Sequence, residues 1–222
     1  MMSVVTNDTF EDALSSLSAV VAEDPTLVVD VETNGLDSFG INQICGIGIG
    51  EKDYQGLAQY YPFRHHQGEN LSNESLGTLI RFLNESVTTF IGYNLKFDLH
   101  FLANEGLDVT DKKLIDVIVM VRLIEHSDTK ELALTPTGMR NYGMSAVQYD
   151  LDTKKELKSN KWHKDFSMAP PELLGEYCKK DVTLTARLYK DYMRKIEKTN
   201  QLKVFELECS LTSVLYKMEQ RG

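Results

Sequence analysis

Apolar positions near the start of the chain recur at helical spacing. Phe10, Leu14, Leu17 and Val21 follow Asp8 and Glu11, which mark a helix start. Three runs then read as strands, over 26–32, 41–50 and 57–63, and the short links between them predict an antiparallel meander. The second run, "INQICGIGIG", puts Gly46, Gly48 and Gly50 on one face and Ile47 and Ile49 on the other. It lacks the spacing of a dinucleotide-binding turn and predicts a strand whose bare face lets a neighbour approach closely. A helix is expected over 69–85, a strand over 88–94, and a helix over 95–106 that Gly106 stops. A short strand near 113–116 follows, with Asp116 placed to cap a helix over 117–126. Residues 127–169 read as polar and irregular, with "TKKELKSNKWHK" as their basic part. A long helix over 169–198 carries prolines in its first turn, where they are tolerated, and a last helix covers 201–222. Helices that interleave with strands after an antiparallel start define an α/β class with a mixed sheet.

Composition bounds this picture. A length of 222 residues suits one large domain, or one domain with an appendage. Hydrophobic residues make up 42% and charged residues 26%, as in ordinary soluble globular chains. Acids outnumber bases 33 to 24, for a formal charge of −9, which argues against a broad electrostatic grip on duplex nucleic acid. A short strand end in a metal-lined cleft remains compatible with it. Cys45, Cys178 and Cys209 are far apart and odd in number, so neither a disulfide framework nor a zinc spacing is visible. A reducing, cytoplasmic compartment is expected. The first ten residues lack a basic region followed by an apolar core, and no apolar run approaches the ~20 residues that span a membrane, so no membrane partner is expected.

The run "LVVDVETNG", 27–35, has the pattern of a buried strand and yet carries two carboxylates. Asp30 and Glu32 point to the same face, roughly 7 Å apart. Like charges on an apolar strand repel and cost desolvation. A hard divalent cation between them, such as Mg²⁺ or Mn²⁺, makes the arrangement tolerable. Two other segments supply further acids. "GYNLKFDLHFL" puts Asn94 where it can cap a helix and Asp98 in that helix's early turns; alone, Asp98 reads as an acid meeting the helix macrodipole. "YCKKD" puts Tyr177 and Asp181 four apart, on one helix face; alone, such a pair reads as packing or solvated surface.

Taken in order, the Asp-x-Glu, Asn-x-x-x-Asp and Tyr-x-x-x-Asp segments resemble the proofreading 3′–5′ exonucleases with four acids and a tyrosine, the DEDDy group. The resemblance runs from about Leu27 to Lys195. "DVETNGLD" is most similar to the exonuclease domain of bacterial and phage family A (DNA polymerase I-like) polymerases. "LTSVLYKMEQRG" resembles the helix that leads from that domain into the polymerase part. The resemblance implies a ribonuclease H-like fold, in accord with the element order above. It implies an exonuclease domain over 1–200 and, over 201–222, a helix at the start of a polymerase region. It implies two divalent cations, Mg²⁺ with Mn²⁺ able to substitute, held by Asp30, Glu32, Asp98 and Asp181, while Tyr177 positions the attacking water. Leu36 matches a leucine that wedges beside the terminal base, and Thr33 and Asn94 match positions near the terminal nucleotide. The implied substrate is a single-stranded or frayed DNA 3′ end, released as nucleoside monophosphates. A monomer with a polymerase domain in the parent chain is the implied setting.

The chemistry accords with these roles. Two cations about 3.5–4 Å apart can activate a water, stabilise the phosphorus and neutralise the leaving oxyanion, so no histidine base is required. RNA 3′ trimming of the ribonuclease D kind is an alternative with the same chemistry. A catalytically silent strand-binding module or structural platform is an alternative of a different class, although degeneration of that sort should erase acids, and here all four and the tyrosine are present. His65 and His66 read as a surface loop. His163, among Lys154, Lys155, Lys158, Lys161 and Lys164, is suited to touching strand phosphates while Trp162 or Phe166 stacks on a base. A merely solvated loop is an equally good reading of that run. Cys178 reads as packing, because neighbouring helix positions face different ways.

Overall fold

The run Thr26–Thr33 forms β1, the middle strand of a mixed sheet in a computed structural model that describes residues 4–125 and 131–221. The ends of two expected elements, at His126 and Gly222, and residues 127–130 lie outside the described residues. The other strands are β2 (Ile44–Glu51), β3 (Ala58–Pro62), β4 (Thr89–Gly92) and β5 (Lys113–Asp116). Their order across the sheet is β3-β2-β1-β4-β5. β1, β2 and β3 pair antiparallel, whereas β4 and β5 run parallel to β1, so the antiparallel start and the parallel continuation are both present.

Alternation along β1 sorts its side chains into two layers. Leu27, Val29 and Val31 pack into a core with α1 (Phe10–Glu23), α2 (Asn73–Ser86) and α3 (Leu95–Asn104). Val28 faces the other layer, built on the long helix α7 (Pro171–Lys198), and Asp30 and Glu32 share that face. Opposite Val28, Asp30 and Glu32 on β2 stand Gly50, Gly48 and Gly46. A Cβ at Gly48 would lie 2.5 Å from Cys178 Sγ, and one at Gly50 would lie 2.6 Å from a Val182 methyl. The bare face therefore receives α7 at close range, as expected from the run of alternate glycines.

Four local expectations are corrected. β2 begins at Ile44 rather than 41; Ile41 is 93% exposed, because the preceding loop closes on itself. Asn34 N–H donates to Gln43 O, Gln43 N–H returns a bond to Asn34 Oδ1, and Asp37 N–H donates to Asn42 Oδ1. Residues 127–169 are not irregular throughout: Leu134–Tyr142 forms α5 and Gln148–Ser159 forms α6. Pro136 and Gly138 disguise α5, yet the proline sits in the first turn, and a Cβ at Gly138 would meet Leu184 of α7 at 2.9 Å. In α6 the inward positions Asp150, Thr153 and Leu157 are at helical spacing, but two of the three are polar.

Asn94, third, does not cap α3; its side chain makes no cap bond and its backbone is left-handed, at φ 62°. Asp116 performs that role, accepting from Asn94 N at 2.8 Å and Leu95 N at 3.0 Å. It also caps α4 (Val117–Glu125), as expected, through Ile118 N. Fourth, His65 is buried rather than on a surface loop, with its ring nitrogens bonded to Tyr60 Oη and Ala169 O.

The last helix, α8 (Leu202–Arg221), lays Phe205, Cys209, Thr212 and Tyr216 against the body and leaves Leu207, Val214 and Met218 exposed. No described helix is long and apolar enough to cross a membrane.

Candidate active site

The acids of β1 meet α3 and α7 where the β1–β2 ladder breaks, at a register shift between Glu32 and Thr33. Such irregularities re-aim side chains at the edge of a site. One carboxylate oxygen of Asp30, one of Glu32 and the Cys178 sulfur all lie within 4.8 Å of one another. Asp98, in the first turn of α3, is buried and accepts a hydrogen bond from Val31 N at 3.0 Å. It is therefore tied to the β1 backbone between the two acids, which a helix-dipole role would not require. Asp181 is buried on α7 and accepts a bond from Tyr149 Oη at 2.5 Å.

Burial dominates the electrostatics. It pushes the Asp30 carboxyl up to about 6, against a partial offset from the Cys178 thiol that donates to its Oδ2 at 3.2 Å. Glu32 is held well above the usual carboxylate range by burial and then by Asp30, Asp181 and Asp98. Asp98 and Asp181 are raised by burial, with Asp30 as the next cause for each. Cys178 thus packs in a buried cluster with Tyr60 and Leu174, as expected, and in addition faces the acids. Burial and those acids keep the thiol neutral, so it serves as a hydrogen-bond donor rather than a ligand.

The remaining expected residues fall in different places. Thr33 and Leu36 border a cleft beside Glu32 whose far wall includes Phe97, His163, Lys164 and Phe166. Thr33 Oγ1 donates to Gly35 O at 2.6 Å, and Leu36 is 84% exposed. The basic run thus brings one histidine and one lysine to the cleft beside Glu32. Asn94 does not line that cleft; it borders a groove between α4 and α8, with Asp116 and Leu211. Tyr177 is on the same helix face as Asp181, and its hydroxyl donates to Asp150 Oδ1 at 3.1 Å. Tyr149 and Asp150 were missed by sequence reasoning. The only signal was a helical spacing from Val147 through Asp150 and Thr153 to Leu157, in which the polar members hid the stripe.

These shifts carry a sign in pH. An acid raised by folding contributes stability that is fully present below its unfolded pKa and lost as pH rises through its folded one. For Asp30 that window runs from 3.8 through about 6, and the other three acids extend it upward. His65 opposes the trend: burial lowers it, so its contribution is present above 6.5 and lost on acidification. One histidine stands against these four acids and Asp116, which burial also pushes up to about 6. In chelator, the unfolding midpoint should fall between about pH 5.5 and about pH 8, and fall less in Glu32→Gln. Equal slopes in the two proteins would show that the acids do not share one field.

A family model described as 3′–5′ exonuclease matches residues 1–197. The chain is 29% identical over 198 residues to DNA polymerase I of Synechocystis sp., covering 87% of this chain and 19% of that protein. It is 28% identical over 189 residues to the DNA-directed DNA polymerase of Pseudomonas phage M6, covering 81% of this chain and 27% of that one. The chain thus spans 19% to 27% of the length of these curated relatives. Among solved structures, Brucella melitensis NrnC with bound Mg²⁺ aligns with a TM-score of 0.60 at 18% identity, covering 89% of this chain and 86% of that one. That likeness is one of fold, and the sheet is ribonuclease H-like.

Proposed function

The chain belongs to the 3′–5′ exonuclease domain family of DNA polymerase I-like proteins, and from that premise we propose that it shortens DNA from the 3′ end, one nucleoside monophosphate at a time, with two divalent cations. The observation that carries this reading is the convergence of four carboxylates from three elements in a setting that raises all four. Among the described residues none of the four makes an ion pair with a lysine, arginine or histidine. Oxygen donors without a basic partner suit Mg²⁺ or Mn²⁺.

Asp30, Glu32, Asp98 and Asp181 would hold the cations. When bound, these supply a nucleophilic water and neutralise charge at the phosphorus and the leaving oxygen. The chain's own residues do the rest. Tyr177 orients the water through its hydroxyl, and Leu36 presses against the last base. Thr33, fixed by its bond to Gly35 O, borders the same nucleotide. Asn94, one helical turn before Asp98, opens instead on the groove between α4 and α8 and is given no contact with that nucleotide.

The setting is a polymerase chain in the cytoplasm. Residues 1–200 form the nuclease, and α8 begins the link to the polymerase region, its exposed Leu207, Val214 and Met218 offering an apolar face for a neighbouring domain.

The test is cleavage of 5′-labelled single-stranded DNA and RNA of one sequence, in Mg²⁺ or Mn²⁺, with and without chelator. A ladder shortened from the 3′ end, abolished by chelator and faster on DNA, is expected. Faster loss of RNA would favour the ribonuclease D-like alternative. Chelator-insensitive binding without cleavage would favour the silent platform, and release from the 5′ end would overturn the polarity. Leu36 supplies a finer test. A frayed end is easier to unstack than a paired one, so single-stranded and mismatched ends should be cut faster than paired ends. Burying an exposed leucine against a base is worth up to about 1.5–3 kcal/mol, so Leu36→Ala should slow paired ends roughly tenfold and single strands less. An equal effect on both would remove the wedge.

A further inference from the structure

At the acidic cleft α6 and α7 exchange partners. α6 carries Tyr149 and Asp150; α7 carries Tyr177 and Asp181. Tyr149 Oη donates to Asp181 Oδ1 at 2.5 Å, and Tyr177 Oη donates to Asp150 Oδ1 at 3.1 Å. Each helix thus gives a phenol to the other's carboxylate, with the two rings 6.0 Å apart.

Asp150 is an unexpected residue for that position. It is 1% exposed, among inward positions otherwise filled by Val147, Thr153 and Leu157. Burying a carboxylate is costly unless it is paired and hydrogen-bonded. One partner is Lys154, at 2.8 Å, whose side chain is 56% exposed; the other is the Tyr177 hydroxyl. If α6 needed only to pack on α7, an apolar residue would serve better.

A phenol can donate one hydrogen bond and accept others, whereas an ionised carboxylate only accepts. We propose that Asp150 is a positioning residue for Tyr177, fixing its hydroxyl proton away from the reacting centre so that the phenol oxygen accepts a hydrogen from the hydrolytic water. A water held by its own hydrogen keeps a lone pair free for phosphorus. Asp181 also feels the Tyr177 hydroxyl and carries the Tyr149 phenol at Oδ1, but the bond that the geometry of the phenol satisfies runs to Asp150 Oδ1 at 3.1 Å, and it is this bond that sets the direction of the proton. The inference rests on the reading of Tyr177 given under Proposed function.

The experiment is a double-mutant cycle in the full chain, with 5′-labelled single-stranded DNA at saturating Mg²⁺ and below the unfolding midpoint of every variant. Asp150→Leu, similar in shape and unable to accept, should lower kcat on the order of tenfold with KM for the strand unchanged. Asp150→Asn keeps a carbonyl acceptor and should lose only about threefold. In a Tyr177→Phe background Asp150→Leu should add no further loss, because the hydroxyl it directs is gone. An equal loss in both backgrounds would assign Asp150 a packing role and overturn the proposal, as would parental kcat in Asp150→Leu alone. If Asp150→Leu does not fold, Asp150→Asn in both backgrounds makes the same comparison. Parental activity in Tyr177→Phe would remove the role of Tyr177 and this proposal with it, and that single variant tells the two failures apart.

Discussion

Replacing Asp30 or Asp181 by asparagine should lower exonuclease rate by roughly four orders of magnitude, about 5–6 kcal/mol in activation free energy, without unfolding the chain. Both acids sit where burial already raises their pKa, and Asp30 is the neighbouring charge felt by Glu32, Asp98 and Asp181. Removing a charge from such a cluster relieves repulsion, so in chelator either variant should unfold at a higher temperature than the parent. Each kcal/mol of relief corresponds to about 2–4 °C for a domain of this size. Cations should close that gap at neutral pH by binding the folded parent more than the variants. Rate and stability thus move in opposite directions, which simple damage to the fold cannot produce. Near-parental digestion by either variant would mean that the cleft is not the reacting centre.

The second large effect is expected at Tyr177. Tyr177→Phe keeps the ring between α6 and α7 and removes only a hydroxyl that touches Asp150. A hydrogen bond that positions a group in the transition state is worth about 2–4 kcal/mol, so the single-turnover rate should fall roughly 10²–10³-fold. Strand binding and the cation concentration at half-maximal rate should change little, because the phenol is not expected to hold the ion. Some stability is also lost, on the order of 1 kcal/mol, because a buried carboxylate loses a donor. A rate fall smaller than that of Asp30→Asn but well above assay error is the expected result. A hydroxyl that only fills space would leave the rate unchanged.

Much of this was legible in the sequence, for identifiable reasons. The sheet announced itself through period-two runs and short links, and the strands fell where those runs lie. Asp30 and Glu32 were conspicuous because an apolar strand has no local use for two charges. Cys178 packs as expected, but its contact with Asp30 went unforeseen because helical phase was considered without the glycines beneath it: with no side chain at Gly48, the sulfur reaches Asp30. Asp150 and Tyr149 escaped notice because α6 buries polar positions and has no apolar stripe, so nothing in its periodicity set it apart from a loop. Asn94 was credited with a cap that Asp116 provides from a strand 22 residues away, a long-range bond that no local pattern encodes.

Loss of activity in a domain of this kind need not touch a single acid. The separation of α7 from β1 is gauged by what β2 lacks at Gly48 and Gly50, because any side chain there would strike Cys178 or Val182. A methyl group at position 48 would act as a shim, lifting Tyr177 and Asp181 together away from Asp30 while every carboxylate stayed in the sequence. Two chains with the same acids and the same tyrosine can therefore differ in whether the parts still meet. In deciding whether a relative is a nuclease or only keeps the shape of one, the empty positions of the second strand count alongside the occupied ones of the first.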